Sequence, residues 1–279
     1  MSAFLLGGVC HQIQETGDSI SNRIGVSLER FLGEPDAPSR SLIVANRTEP
    51  EPFRQMIENL FTGQNIEVAE ELVDEYDDDT VLLLEDGDVI ATSPLKELSD
   101  SILMVNSDLF ITGTRTLEDT AVPAVLDGLA DHPFTLRGYP ESNTEKLLLI
   151  LISRHIERLA YKHGEGTIRS SFQRLSRVRD ERGTRRVYEQ IAQTDVDVHL
   201  YGQPDWRPQP DFPITMHGGY KPDFKESWFV VYNPPPEKAD SFDQAALLAI
   251  EKEPPKWDGF WTYDADLIED VARYIRWNL

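Results

Sequence analysis

Cysteine is nearly missing from this chain of 279 residues. Cys10 is the only one, so no intrachain disulfide can form and cysteine-rich metal sites are excluded. Lysine is scarce as well: eight of the 27 basic residues are Lys and the other nineteen are Arg. Positive charge is short as a whole, 27 Lys and Arg against 49 Asp and Glu, which gives a formal net charge of -22. The most basic stretch, 169–186, is interrupted by Asp180 and Glu181, so no basic stripe exists to neutralise phosphates and nucleic acid is excluded as a direct partner. The apolar run at 147–152 falls far short of the ~20 residues of a membrane span. The apolar opening at 3–10 has no basic residue ahead of it, and Gly7, Gly8 and Val9 fit a lipoprotein cleavage site poorly. The reading is a cytoplasmic chain with no signal peptide and no membrane contact.

Catalytic signatures are equally sparse. There is no Gly-x-Ser-x-Gly elbow, P-loop, dinucleotide fingerprint or His-Glu-x-x-His, and the six histidines are scattered, which argues against a metal site. His217-Gly218-Gly219 is similar to an esterase oxyanion loop but has no nucleophile to serve. Arg154-His155-Ile156-Glu157 has the look of a phospho-accepting histidine, yet no Gly-rich nucleotide segment follows it, so a histidine on a helix face is favoured. Asp77, Asp78 and Asp79 read as a solvated acidic turn. No catalytic residue is assigned and no cofactor is required.

Hydrophobic residues make up 40%, enough for a sizeable core. The elements begin with an N-terminal helix over 11–33, on which Ile20, Ile24, Leu28, Phe31 and Leu32 share a stripe. Residues 1–37 read as an appendage and 38–279 as one domain. A strand at 41–46, a helix opened by Pro50 and Pro52, and a second strand at 66–72 come next. Asp86-Gly87 between 81–84 and 89–91 specifies a hairpin. Ser93 and Pro94 read as the cap and first residue of a short helix to Leu98, with 103–112 extended and 123–129 helical. Ser142 and Glu145 suit a capping box ahead of a long helix at 143–162, stopped by Gly164. Its 147–152 segment is apolar on all sides, so it is expected to be central and buried. Strands at 167–172, 196–201, 228–232, 246–250 and 260–263, a helix at 185–192 and a final helix capped by Asp264 complete the list. The pattern predicts a mixed α+β fold, a central mixed sheet flanked by helices.

Aromatics concentrate between Tyr201 and Tyr263. In the strand at 195–201, Val196, Val198 and Leu200 point one way and Asp197, His199 and Tyr201 the other. Phe172, His199, Tyr201, Trp206, Trp228, Trp261 and Tyr263 are expected to converge on one ligand pocket, with filling of the core as the competing reading.

Certain segments carry a family resemblance: Ser153-Arg-His-Ile-Glu157, Ser171-Phe-Gln173, Arg186-Val-Tyr-Glu-Gln-Ile-Ala192, Glu226-Ser-Trp228, Ala246-Leu-Leu-Ala-Ile-Glu251 and Trp257-Asp-Gly-Phe-Trp-Thr-Tyr-Asp264. In this order across 145–279 they resemble the DICT sensory domain. Val187 separates the arginine and tyrosine of one motif, and Ser227 separates Glu226 from Trp228, which departs from the family pattern. The segment 80–140, with Val105-Asn-Ser-Asp108 and Leu136-Arg-Gly-Tyr-Pro140, looks like the extension of haloarchaeal, stand-alone members. The resemblance implies a non-enzymatic sensory or regulatory protein of a signal-transduction pathway that acts through a protein partner. A scaffolding regulator without a small ligand is the alternative, and an unrecognised hydrolase ranks third. The stripe on 11–33 is a candidate for self-association.

The acidic, Lys-poor composition suits molar salt, where a Debye length of about 3 Å screens self-repulsion. The thermal midpoint is expected to rise from dilute buffer to molar KCl; a flat midpoint would refute the halophilic reading.

Overall fold

A computed structural model describes residues 27–33, 39–61, 66–106, 117, 122–137, 144–207, 213–253 and 256–279. The class is mixed α+β, as the alternation predicted, with the strands divided between two sheets.

The smaller sheet has the order β2-β1-β3-β4, from β1 (Arg40–Ala45), β2 (Ile66–Glu71), β3 (Thr80–Glu85) and β4 (Asp88–Pro94). β1 and β2 are parallel because α1 (Glu51–Phe61) crosses between them, whereas β3 and β4 form the expected hairpin. Asp86 and Gly87 turn it with φ of 51° and 94°, the double positive φ that a two-residue turn demands. Ser93 and Pro94 belong to β4 rather than starting a helix. The Ser93 hydroxyl accepts from the Val125 amide at 3.2 Å, satisfying the first turn of α3 (Ala124–Asp127), whose preceding Pro123 offers no side-chain cap. α2 runs over Leu95–Asn106, so 103–106, read as extended, is helical; 107–112 lies outside the described residues.

The larger sheet has the order β5-β11-β10-β9-β6-β7-β8. Its strands are β5 (Phe134–Arg137), β6 (Glu165–Arg174), β7 (Asp195–Gln203), β8 (Thr215–Gly218), β9 (Ser227–Asn233), β10 (Ala245–Glu253) and β11 (Lys256–Thr262). Only the β6–β7 and β7–β8 pairs are parallel. One face takes Ile168, Val198, Leu200, Val230, Tyr232, Leu247, Trp257 and Trp261 into the first core. The other takes Tyr201, Phe229, Val231, Leu248 and Phe260 into a second core.

α4 (Thr144–His163) covers the first face, with α6 (Arg182–Ile191) beside it, and α4 is touched on its far side by α1 and α2. Residues Leu151 to Glu157 are therefore all buried. Gly164 ends the helix at φ 70°, as expected, while the capping box at Ser142 lies outside the described residues. One continuous core joins the two sheets through this helix.

α8 (Ala265–Asn278) covers the second face with Ile268, Val271 and Ile275, and Asp264 caps it by accepting from the Leu267 amide at 2.9 Å. Leu28–Phe31 is a 3-10 turn on the same core, not the end of a free helix, and residues 11–26 lie outside the described residues. The buried Asp223 of α7 (Pro222–Lys225) anchors that turn: it accepts from Ser27 Oγ at 2.9 Å, from the Leu28 amide at 3.3 Å and from the Tyr274 hydroxyl at 2.6 Å. Asp223→Ala is expected to lower the unfolding free energy by about 2 kcal/mol, since hydrogen bonds to charged groups are the stronger kind. Urea titrations check it; an unchanged midpoint would refute the anchor.

Candidate functional site

At the end of β6 the chain departs from regular strand geometry. The β6–β7 register shifts between Ser171 and Arg174, and within that bulge Gln173 sits at φ 56°, a conformation non-glycine residues rarely adopt. Its side-chain amide donates to Glu251 Oε2 of β10 at 3.3 Å. The adjacent Phe172 meets the edge of Tyr188 on α6, with centroids 5.4 Å apart. On β9, Trp228 lies edge-on to Trp257 at 6.2 Å and donates its indole N–H to Ser153 Oγ of α4 at 3.0 Å. Ala249 is the direct partner of Trp228 on β10 and Gly259 the partner of Ala249 on β11, so small residues leave room beside the large ring. The Phe172 and Trp228 rings are half-buried, which leaves them an outward side.

Behind this row is a buried charged network. Arg154 and Glu157, one turn apart on α4, form an ion pair, and Arg154 also donates to Thr184 Oγ1 of α6 at 2.9 Å. Tyr188 donates to Ser170 Oγ of β6 at 2.6 Å. Burial, and then the Glu157 carboxylate, hold the Tyr188 hydroxyl well above its ordinary pKa, so it stays a proton donor. Burial works against the Arg154 charge, but Glu157 more than offsets it and pushes its pKa up.

A second polar chain runs from α4 to α3. His155 Nε2 lies 2.8 Å from the Tyr263 hydroxyl, which donates to Asp127 Oδ1 at 2.5 Å. Because the phenol has one proton and directs it at Asp127, His155 Nε2 must carry the hydrogen of the first contact, leaving Nδ1 bare; that atom is buried without a partner. Burial lowers the His155 pKa accordingly, and burial, then Asp127, raise that of Tyr263. Trp261 packs edge-on to both His155 and Tyr263.

The seven residues expected to share a pocket do not converge. Phe172, Trp206, Trp228, Trp261 and Tyr263 belong to the face beneath α4, with Trp261 in the core at 2% exposure and the other four partly buried against it. Tyr201 lies in the core under α8, and His199, two residues earlier on the same strand, shares its side of the sheet. What separates them is the alternation of side chains across the sheet: His199 and Tyr201 point to the face opposite the one that carries Trp228 and Trp261. Ser153, Arg154, Glu157, Gln173, Tyr188 and Glu251 were not singled out as site residues. The signal was present, because all six fall within the segments that carry the family resemblance.

Those segments also decide what the chain is similar to. Residues 123–252 match the model of the DICT family, the sensory domain in diguanylate cyclases and two-component systems. The DICT match runs from just before α3 into the end of β10, so Trp257 to Asp264 fall beyond it. No curated protein matches the chain. Among solved structures, polyphosphate kinase from Porphyromonas gingivalis aligns at 15% identity with a TM-score of 0.35, over 56% of this chain and 24% of that protein. The chain thus spans about a quarter of its length.

Arg154→Met leaves Glu157 buried without its counter-charge and is expected to cost about 3–5 kcal/mol, while the double variant with Glu157→Leu recovers most of the loss. A double variant as unstable as the single one would refute the account. The pKa values of His132, His155, His163 and His217 are all lowered, burial being the first cause in each. A histidine held neutral in the fold contributes stability that is complete above its ordinary pKa of about 6.5 and is lost as pH falls below that value. Unfolding midpoints should therefore drop between pH 7 and pH 5, less steeply in His155→Gln; an identical slope would exclude His155 from the effect.

Proposed function

We propose that this chain is a non-enzymatic sensory regulator that reads a ligand or a cellular state and signals by changing its binding to a protein partner. The carrying observation is the DICT match over the residues that hold the half-buried row Phe172–Trp228, the strained Gln173 and the buried Arg154–Glu157 pair behind them. Two broad rings with Glu251 and Gln173 at their edge suit a flat ligand that presents N–H donors or positive charge to the carboxylate. Trp206 extends the apolar side, whereas Trp261 and Tyr263 fix the helix that forms the rear wall. Such a ligand would act through α4, because Trp228 is hydrogen-bonded to Ser153 on that helix.

The acidic, Lys-poor composition supports a salt-loving archaeal source, and the shared core supports residues 38–279 as one sensory unit. The competing class, a scaffolding regulator without a small ligand, would use the same rings as a flat protein interface. Among the described residues, no helix is long and apolar enough to cross a membrane.

The test is isolation at high salt from the native cytoplasm, followed by mass spectrometry of co-purifying small molecules and proteins. The intact chain is expected to retain a small molecule that Trp228→Leu loses at an unchanged thermal midpoint. A protein retained equally by both, with no small molecule in either, favours the scaffold. Trp261→Ala is the contrasting variant: as a core residue it should lose about 3–5 kcal/mol of stability, and a fully stable variant would refute that placement.

A further inference from the structure

The sheet face opposite α4 is only partly covered. α8 packs on β9 and β10 and the short α7 on β6 and β7, with Phe224 of α7 in the same core as Tyr201; beside α7, strands β6, β7 and β8 carry polar side chains on that side. Register sets Arg169 of β6 beside His199 of β7, and Tyr201 of β7 beside His217 of β8. His217 lies flat on Tyr201, centroids 4.4 Å apart and 8° from parallel. His199 Nε2 is 2.8 Å from Asp197 Oδ2, and His199 Nδ1 is 2.9 Å from His217 Nε2.

These contacts fix the protons. Asp197 accepts only from an N–H, so His199 carries its hydrogen on Nε2 and offers a lone pair at Nδ1. His217 must then donate through Nε2, which leaves its own Nδ1 as the place for the next proton. Beside this pair, the Arg169 guanidinium is hydrogen-bonded to the Tyr201 hydroxyl, its Nε is buried with no acceptor, and among the described residues Arg169 has no ion-pair partner, in a chain with 49 carboxylates. The other charged groups nearby are committed. Asp197 serves His199, Glu165 of β6 pairs with Lys238, and Arg276 of α8 pairs with Glu269. Two imidazoles and a guanidinium thus lie together with no carboxylate on the guanidinium.

We propose that Arg169 and the His199–His217 pair form a site for a phosphate group, inorganic or esterified, whose binding is coupled to uptake of one proton by the pair. A guanidinium fork with an imidazolium matches a tetrahedral oxyanion, supplying two positive groups and N–H donors for its oxygens. Burial, then His199 and Arg169, disfavour a proton on His217; an anion would reverse the Coulombic part of that balance. A cation finds less here, because among the described residues no three His, Cys, Asp or Glu side chains are grouped to hold a metal. The site lies on the opposite face from the aromatic row and does not depend on the function proposed for it.

The experiment is titration of the whole chain with inorganic phosphate and, separately, glycerol phosphate, at constant KCl. It is followed by the histidine ring signals in NMR and by calorimetry in two buffers of different ionisation enthalpy. Saturable binding at least tenfold tighter at pH 6 than at pH 8, with net proton uptake, is the expected result. Arg169→Gln should weaken it at least tenfold, and His217→Asn should remove most of the pH dependence. Tighter binding of the ester identifies a phosphorylated metabolite as the ligand type, and tighter or equal binding of inorganic phosphate identifies the free ion. Absence of saturable binding, pH-independent binding in the unaltered chain, or unchanged affinity in Arg169→Gln would overturn the proposal. The proton-uptake measurement needs no variant, so a poorly folded substitution leaves the test intact.

Discussion

Everything in this fold depends on one helix being enclosed. α4 is pressed by the large sheet from one side and by α1 and α2 from the other, so the apolar segment that enters it can face inward in every direction. Over Leu151 to Glu157 such a helix has no wet face on which to place polar residues. Arg154, His155 and Glu157 must therefore be satisfied by protein groups: Arg154 pairs with Glu157 and Thr184, and His155 Nε2 with Tyr263, only His155 Nδ1 being left without a partner. The polar networks are the consequence of the enclosure, and they fix the helix rotationally as hydrophobic contact alone would not.

The two faces of the large sheet are correspondingly unequal. Beneath α4 the strands give bulky apolar and aromatic residues, with Phe172, Trp206, Trp228 and Tyr263 only partly buried at its margins. On the opposite face α8 covers β9 and β10 and the short α7 lies against β6 and β7, with Arg169, His199 and His217 on the flank beside them. The Gly218-Gly219 pair after His217 has a steric reason there: a Cβ on Gly219 would come within 2.3 Å of the Phe224 ring. Close approach explains the glycine without any oxyanion chemistry.

Much of this was legible in advance because long periodic segments declare themselves. The apolar circumference of 147–152 announced a buried helix, Asp86-Gly87 announced its turn, and the alternation of Val196, Val198 and Leu200 with Asp197, His199 and Tyr201 matched the two sides of β7. What periodicity does not contain is the order of strands. Placing β6 between β7 and β9 is a long-range choice, and it decided which aromatic residues meet. β5, β8 and α7, at four residues each, were too brief to show a period, and β5 and β8 are the sheet's two edges. Gln173 and Glu251, which sequence passed over, are polar and lie on different strands; only their hydrogen bond makes them a pair.

Because α1, α2 and the β9–β10 strands grip the same rod, the two sheets share a wall rather than a hinge. A densely packed wall has no slack: a shift of even part of an ångström on the side of Trp228 has to reappear as displaced volume around Ile57, Leu95 and Leu98. The small sheet is thereby packed to the large one through α4. At its outer rim, on the edge strand β4, Val89 and Ile90 are 40% and 45% exposed, so this is where the shared core comes nearest to an apolar surface.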